Sequence, residues 1–378
     1  GAKLADPVGA SIDPGTQELI ALAQKLGIDT VFDRAAQMKP CAIGIQGICC
    51  KNCAMGPCRL PLPKGGIEGK DTRKGLCGAT ANTIAARNFI RMIAGGAAAH
   101  SDHGRCVAEV FLSAARKETD AYKIKDPNKL LAIAPWFDVA TTVDVDGAAQ
   151  DRNIDEIALE VAEKALNEWG KAEGELRYLK RAPAPLYEKW AKTGVLPRNI
   201  DREIVEIMHR THMGVDQDYK NLMKQGTRAS LADGWGGSML ATDLQDVLFG
   251  TPYPLQSEAN LGVLKEDHVN IVIHGHEPVL SEMIVAAAQT QEMTDYAKTK
   301  GAKGIQLSGI CCTATEILQR HGVPLCGTFL QQELAIITGA VDAMVVDIQC
   351  IFQNIANVAK CFHTKVITTH PIARMEQD

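Results

Sequence analysis

Residues 268–276 read HVNIVIHGH, an apolar run of strand length that ends in two histidines around a glycine. Comparable short apolar runs recur as GIQLSG (304–309), VDAMVVD (341–347) and TKVITTH (364–370). Helical patterns lie between them, near 279–299, 313–321, 328–338 and 352–361. Strands alternating with helices predict a parallel sheet covered by helices, a Rossmann-like α/β domain over residues 251–378. Upstream, strand signals are sparse. Asp13 and Pro14 open a helix over 13–26 with the stripe Leu19, Ile20, Ala23 and Leu26. Further helices are expected at 80–118, with a break at Gly95-Gly96, and at 153–169 and 201–212. Residues 1–250 therefore read as a mainly α-helical domain, and the whole as an α+β multidomain chain. The boundary falls in FGTPYPLQSEANLG, residues 249–262, rich in Gly, Pro and polar residues.

The chain has 378 residues, 46% of them hydrophobic, enough for two or three buried cores. A net charge of −5 supplies no basic field for nucleic acid. No run of about 18 apolar residues is present, so no membrane span is expected. The opening GAKLADPVGASIDPG lacks the charged-then-apolar order of a signal peptide, so a cytoplasmic location is expected, and the missing initiator Met points to a processed or trimmed start.

The twelve cysteines fall in two groups, six between 41 and 77 and five between 311 and 361, with Cys106 between them. A large chain without an export signal is a poor setting for a disulfide framework. Cys41, Cys49, Cys50, Cys53, Cys58 and Cys77 follow C-x7-C-C-x2-C-x4-C-x18-C, thiol-rich enough for iron–sulfur ligation. Zinc is the rival, but six clustered thiols exceed one tetrahedral site. Adjacent side chains point apart, so Cys49 and Cys50 belong to different clusters. If Cys50, Cys53, Cys58 and Cys77 hold one [4Fe–4S] cluster, Cys41 and Cys49 remain as half a set. A second copy of the chain across a twofold axis would complete that half, which predicts a homodimer.

In open parallel sheets, ligands bind beyond the carboxyl ends of the strands. His274 and His276 follow the first predicted strand, Cys311 and Cys312 the second, and Cys350 the run VDAMVVD. Three strand ends could thus aim imidazole and thiolate at one point, a set suited to borderline and soft transition metals. Cys326 reads as a small buried thiol and Cys361 as a core residue on a helix.

With these residues assembled, the sequence resembles the anaerobic nickel–iron carbon monoxide dehydrogenases. The resemblance rests on the adjacent cysteines with MGPCR, on AAAHSDH (97–103), HRTHMGVD, ADGWGGSM, HGHEP, GICC and VDAMVVDIQC, and it runs over nearly the whole chain. It implies reversible oxidation of CO with water to CO2, two protons and two electrons at a nickel–iron–sulfur C-cluster. Cys41 and Cys49 would be one subunit's half of a D-cluster bridging the dimer, a [4Fe–4S] or a [2Fe–2S] centre. Cys50, Cys53, Cys58 and Cys77 would hold the B-cluster. His276, Cys312 and Cys350 would bind irons of the C-cluster, with Cys311 and His274 beside it and not binding it permanently. Electrons would leave through the B- and D-clusters to a ferredoxin-like acceptor, and an acetyl-CoA synthase subunit could take the CO. Seven basic residues from Arg59 to Arg91, against Glu68 and Asp71, could attract an acidic partner, although a solvated face is the plainer reading.

Two features depart from the family pattern. Family chains are considerably longer and carry further C-cluster cysteines and a lysine in a third domain, so the sequence is expected to be a portion of a longer protein. The family also places four histidines at three-residue intervals on one helix to carry protons. Here His100 and His103 are followed by Cys106 and Glu109, about 4.5 Å apart along the axis at each step. His100 and His103 keep the proposed acid–base role, and the exit beyond them differs. Two rival readings remain, a nickel-free electron-transfer subunit and a hybrid-cluster hydroxylamine reductase. The latter lacks the adjacent-cysteine half-set. His209 and His212 read as packing or hydrogen-bonding residues, and ADGWGGSM as a loop for close backbone packing.

Overall fold

The computed structural model describes residues 7–376, so the first residues of the N-terminal reading lie outside it. The described chain forms two compact units, one running from Pro40 to Thr251 and the other combining residues up to Lys39 with those from Pro252 onward. The units divide at Thr251 and Pro252, and the described residues up to Lys39 group with the α/β unit and not with the helical one. The reason is hydrophobic. Ile20, Ala23 and Phe32 are buried in the same core as Val272, Leu334, Ile337 and Met344 of the α/β unit. The Pro14–Leu26 helix starts as its sequence demands, with Asp13 accepting the Thr16 N–H at 2.7 Å and Gly27 in the left-handed region closing it.

The α/β unit holds a five-stranded, all-parallel sheet. Its spatial order is Leu325–Gly327, Ile305–Ile310, Val269–Gly275, Val341–Val346, Lys365–Thr368. The first strand in sequence is central and the chain winds outward from it in both directions, so the order reverses beside it. Val269–Gly275 is buried along most of its length, as a parallel strand covered on both faces should be. The Leu325–Gly327 strand was not legible because three residues show no periodicity. The helix expected at 279–299 is two helices, Pro278–Ala288 and Gln291–Thr299, the second capped by Thr290. The stretch expected at 328–338 is a short 3-10 turn, Phe329–Gln331, followed by the helix Gln332–Ile337.

The other unit is built around one 35-residue helix, Ala81–Ala115, against which Ile154–Gly170, Ile200–Arg210 and Tyr219–Ala232 pack. No break occurs at Gly95-Gly96. Both glycines are exposed, and the buried Ala94 and Ala97 beside them carry the helix through. ADGWGGSM is not a loop. Asp233–Leu240 is a π-helical segment between the helices Tyr219–Ala232 and Ala241–Phe249. Close packing is nonetheless its property: a Cβ on Gly236 would lie 2.6 Å from Ile200, and one on Gly237 3.1 Å from His100. Two small antiparallel pairs complete this unit, Thr142–Val145 with Ala148–Asp151 and Cys49–Cys50 with Cys58–Arg59. Among the described residues no helix is long and apolar enough to cross a membrane.

Candidate metal centres

The cysteine loop is folded by its short ladder, in which Cys50 lies opposite Cys58 and Cys49 opposite Arg59. Strand geometry sends neighbouring side chains to opposite faces. Cys50 is buried with Ile48, Leu60, Ala79 and Ile84, and Cys58 and Cys77 pack against that group. Cys50, Cys53, Cys58 and Cys77 line one cavity together with Met55, Met213 and Arg87, and Cys49 does not. Backbone N–H groups face the sulfurs: Leu76 donates to Cys58 Sγ at 3.5 Å and Gly44 to Cys41 Sγ at 3.4 Å. Gly44 and Ile43 N–H hold the exposed Cys41 thiol below its ordinary range. Burial pushes Cys77 upward, but the Ala79 N–H and Arg87 outweigh it and the net displacement is downward.

On the long helix, His100 is half-buried and its Nδ1 lies 2.6 Å from Asp233 Oδ1 and 3.3 Å from Ser238 Oγ. Both partners come from the π-helical segment. The Asp233 carboxylate raises the His100 pKa against the opposing effect of burial. His103 is buried, and the Gln245 amide donates to its Nε2 at 2.9 Å. Continuing the spacing, Cys106 is half-buried and Glu109 exposed. Asp233 escaped the sequence reading because its partner His100 lies 133 residues away on another helix, and a contact between elements leaves no spacing in the chain.

In the α/β unit, the sheet register sets the second group of donors. His274 pairs with Ile310 on one side and Val346 on the other, and Gly275 bridges to Cys311. His276, Cys311, Cys312 and Cys350 thus follow the carboxyl ends of three neighbouring strands, whereas His274, expected beyond the first of them, lies within that strand at its last ladder pairs. Cys311, Gln349 and Cys350 have φ values of 67°, 66° and 59°, a left-handed conformation uncommon for such residues and concentrated at functional sites. Burial, then the neighbouring Cys350 and Cys312, pushes the Cys311 thiol up to about 12. Cys312 is raised as well, by burial, Cys350 and Glu316. Thiols that crowd one another this way are relieved when metal takes their protons.

Two residues without a sequence assignment hold this crevice. Asp347 is buried; its Oδ1 accepts the His276 N–H at 2.7 Å and its Oδ2 the Glu277 N–H at 3.1 Å. Burial pushes its pKa up to about 6 against these bonds. Gly275, at φ 144°, makes the approach possible: a Cβ there would lie 1.7 Å from Asp347 Oδ1. Gln332, fully buried, donates to the Cys350 carbonyl at 2.9 Å and accepts from Phe352 N–H at 2.8 Å. Its Oε1 also lies 3.0 Å from His274 Nε2, which fixes that ring, and burial lowers the His274 pKa to about 4.

Among the described residues no three His, Cys, Asp or Glu side chains are arranged to hold a single metal ion. A multi-iron cluster binds each thiolate to its own iron, so its ligands surround a volume and need not converge on a point. The four-thiol cavity, with its N–H donors and buried guanidinium, fits that requirement.

The remaining residues take ordinary places. Cys326 is fully buried, donates to the Gly309 carbonyl at 3.5 Å and is pushed up to about 12 by burial. Cys361, expected in the core, is exposed, because the helix Ile355–Ala359 ends two residues before it. His209 and His212 are exposed too, outside the buried stripe Ile200, Glu203 and Ile207. His321 pairs with Glu282 at 2.7 Å and His268 with Asp267 at 2.5 Å.

Residues 48–377 match the model of the Prismane/CO dehydrogenase family. The chain is 52% identical over 365 residues to carbon monoxide dehydrogenase 1 of Methanosarcina acetivorans, covering 96% of this chain and 56% of that protein. It is 47% identical over 365 residues to carbon monoxide dehydrogenase 1 of Carboxydothermus hydrogenoformans, covering 95% and 55%. Among solved structures it superimposes with a TM-score of 0.90 and 51% identity on a nickel-free carbon monoxide dehydrogenase from Thermococcus sp. AM4, over 99% of this chain and 57% of that one. It also superimposes, with a TM-score of 0.89 and 42% identity, on a chain of an acetyl-CoA synthase/carbon monoxide dehydrogenase, over 99% and 54%. The chain thus spans little more than half the length of the relatives it matches, and within that span the fold, the cysteine loop and the donors at the strand ends occur together: it belongs to the Prismane/CO dehydrogenase family.

Proposed function

We propose that the chain forms the cluster-bearing part of a carbon monoxide dehydrogenase, interconverting CO and water with CO2, two protons and two electrons. The observation that carries the reading is the alignment of His276, Cys312 and Cys350 behind three neighbouring parallel strands, with Cys311 and Cys350 in left-handed backbone conformations. These three side chains would hold irons of a nickel–iron–sulfur centre, and Cys50, Cys53, Cys58 and Cys77 a [4Fe–4S] cluster. When bound, such groups supply a soft metal for CO, a Lewis acid for water and storage for electrons.

This chain's own residues then position and exchange protons. Asp347 fixes the His276 backbone, and Gln332 fixes both the His274 ring and the Cys350 loop. His100 holds a proton on Nδ1 against Asp233, leaving Nε2 to exchange one, and His103 is the next imidazole along the helix. Cys41 and Cys49 would share a cluster with the same residues of a second chain. Ile45, Met55, Leu76, Phe89 and Met92, large apolar side chains exposed on the loop and the first turns of the long helix, support such a homodimer. A ferredoxin-like protein is the acceptor in this reading, and an acetyl-CoA synthase subunit the further partner to test.

CO-dependent reduction of a viologen dye by the complete protein, prepared without oxygen, tests the reading. His276→Ala and Cys312→Ala should each abolish it, and retention in both variants would overturn it. A nickel-free electron-transfer role is the second reading, favoured by a four-thiol set that is complete within this chain. It predicts no CO-dependent reduction by the unaltered protein.

A further inference from the structure

Arg87 is among the largest fully buried side chains of the protein, 1% exposed within the long helix. Its guanidinium lines the cavity of Cys50, Cys53, Cys58 and Cys77, with Nη1 3.8 Å from Cys77 Sγ. Nη2 donates to the Asp216 carbonyl at 3.3 Å, and Nε has no hydrogen-bond partner. No carboxylate pairs with it among the described residues; the Asp216 side chain is engaged by Arg210 at 3.2 Å. A buried guanidinium facing one carbonyl and one thiol is uncompensated, and burying an unpaired cation is costly. The negative charge that would compensate it has to come from the cavity itself.

We propose that Arg87 is the internal counter-charge of the cluster held by Cys50, Cys53, Cys58 and Cys77, and that it sets that cluster's reduction potential. The inference rests on the cluster assignment above and goes beyond it. A thiolate-ligated [4Fe–4S] cluster is an anion in both working oxidation states and gains one more negative charge on reduction. A fixed cation beside one ligand sulfur favours the reduced form more than the oxidised form, which raises the potential. Net charge and hydrogen bonds to the sulfurs are recognised controls of such potentials. Arg87 also lies on the cavity side of the helix, where the guanidinium is held away from water and little screened. It is a positioning and tuning residue, not a ligand.

The test uses the complete protein prepared without oxygen, titrated with dithionite and followed by electron paramagnetic resonance. Cys53→Ala assigns the signal, because it should remove this cluster alone. Arg87→Gln keeps polar contacts and removes the charge; Arg87→Lys keeps the charge. With iron content unchanged, Arg87→Gln should move the midpoint to a more negative potential and Arg87→Lys should move it less. An unmoved midpoint in fully loaded Arg87→Gln would overturn the proposal. Should Arg87→Gln fail to load, Arg87→Lys decides: loaded with a near-native midpoint supports the counter-charge, and equally empty, or loaded with a clearly displaced midpoint, overturns it. If Cys53→Ala leaves every cluster signal in place, the cluster assignment itself fails, an outcome separate from an unmoved midpoint.

Discussion

The Asp347 carboxylate accepts the His276 N–H at 2.7 Å across two neighbouring parallel strands, in space that only the missing side chain of Gly275 leaves open. A carboxylate at the end of one strand thereby orients a candidate ligand at the end of the next.

Gly275→Ala is therefore expected to destabilise the protein by about 3 kcal/mol, from a positive φ and a collision with Asp347 that cannot be relieved locally. Gly95→Ala is the control. Its site is an exposed helix interior with nothing near the new Cβ, and it should stabilise by about 1 kcal/mol. Urea unfolding of the metal-free protein measures both, and equal effects would refute the argument.

Gln332→Ala removes the partner of His274 Nε2 and the donor to the Cys350 carbonyl. Leaving buried polar groups unmet costs about 1–3 kcal/mol each. On the proposed cluster assignment, the variant should lose metal from the strand-end centre and keep the iron of the cluster proposed for Cys50, Cys53, Cys58 and Cys77. Iron spectra that change in both centres alike would show a general unfolding instead.

Much of the α/β unit was legible because a buried parallel strand is written as a run of apolar residues. HVNIVIHG and VDAMVVD announce themselves, and the residue after each such strand marks the crevice. Asp347 and Gln332 were not legible, since a positioning role is defined by a contact across the sheet and leaves no spacing in the chain. Leu325–Gly327 is too short to show a period. The placement of Ile20, Ala23 and Phe32 was hidden for a similar reason: an amphipathic helix declares that it has a buried face, but not which core receives it. In the loop, adjacency of Cys49 and Cys50 was informative because strand geometry alone separates them. Arg87 gave no signal beyond that of any helical arginine.

His100 titrates above its ordinary value because Asp233 stabilises the imidazolium. A raised folded-state pKa contributes stability that is fully present below the unfolded value of about 6.5 and is lost as pH rises through the folded pKa. Asp233→Asn should lower the His100 pKa, measured by NMR titration of its ring. It should also remove that acid-side stabilisation, while leaving stability well above the His100 titration nearly unchanged. A His100 pKa that does not fall would refute the pairing.

Cys326→Ala and Cys53→Ala should separate structural from ligating thiols. Cys326 sits in the apolar core, so its loss should cost about 1 kcal/mol and no iron. Cys53 lines the four-thiol cavity, so its loss should remove a cluster. Iron analysis alongside thermal unfolding distinguishes the two.

Counting iron and nickel per chain in the complete protein, prepared without oxygen, tests the central claim most directly when unaltered protein is set beside Cys77→Ala and Cys312→Ala. The account predicts that Cys77→Ala loses about four irons, one [4Fe–4S] cluster, and keeps its nickel. Cys312→Ala should lose nickel with part of the iron and keep the Cys77 cluster. Unaltered protein that holds zinc and no iron, or a metal content indifferent to both substitutions, would contradict it.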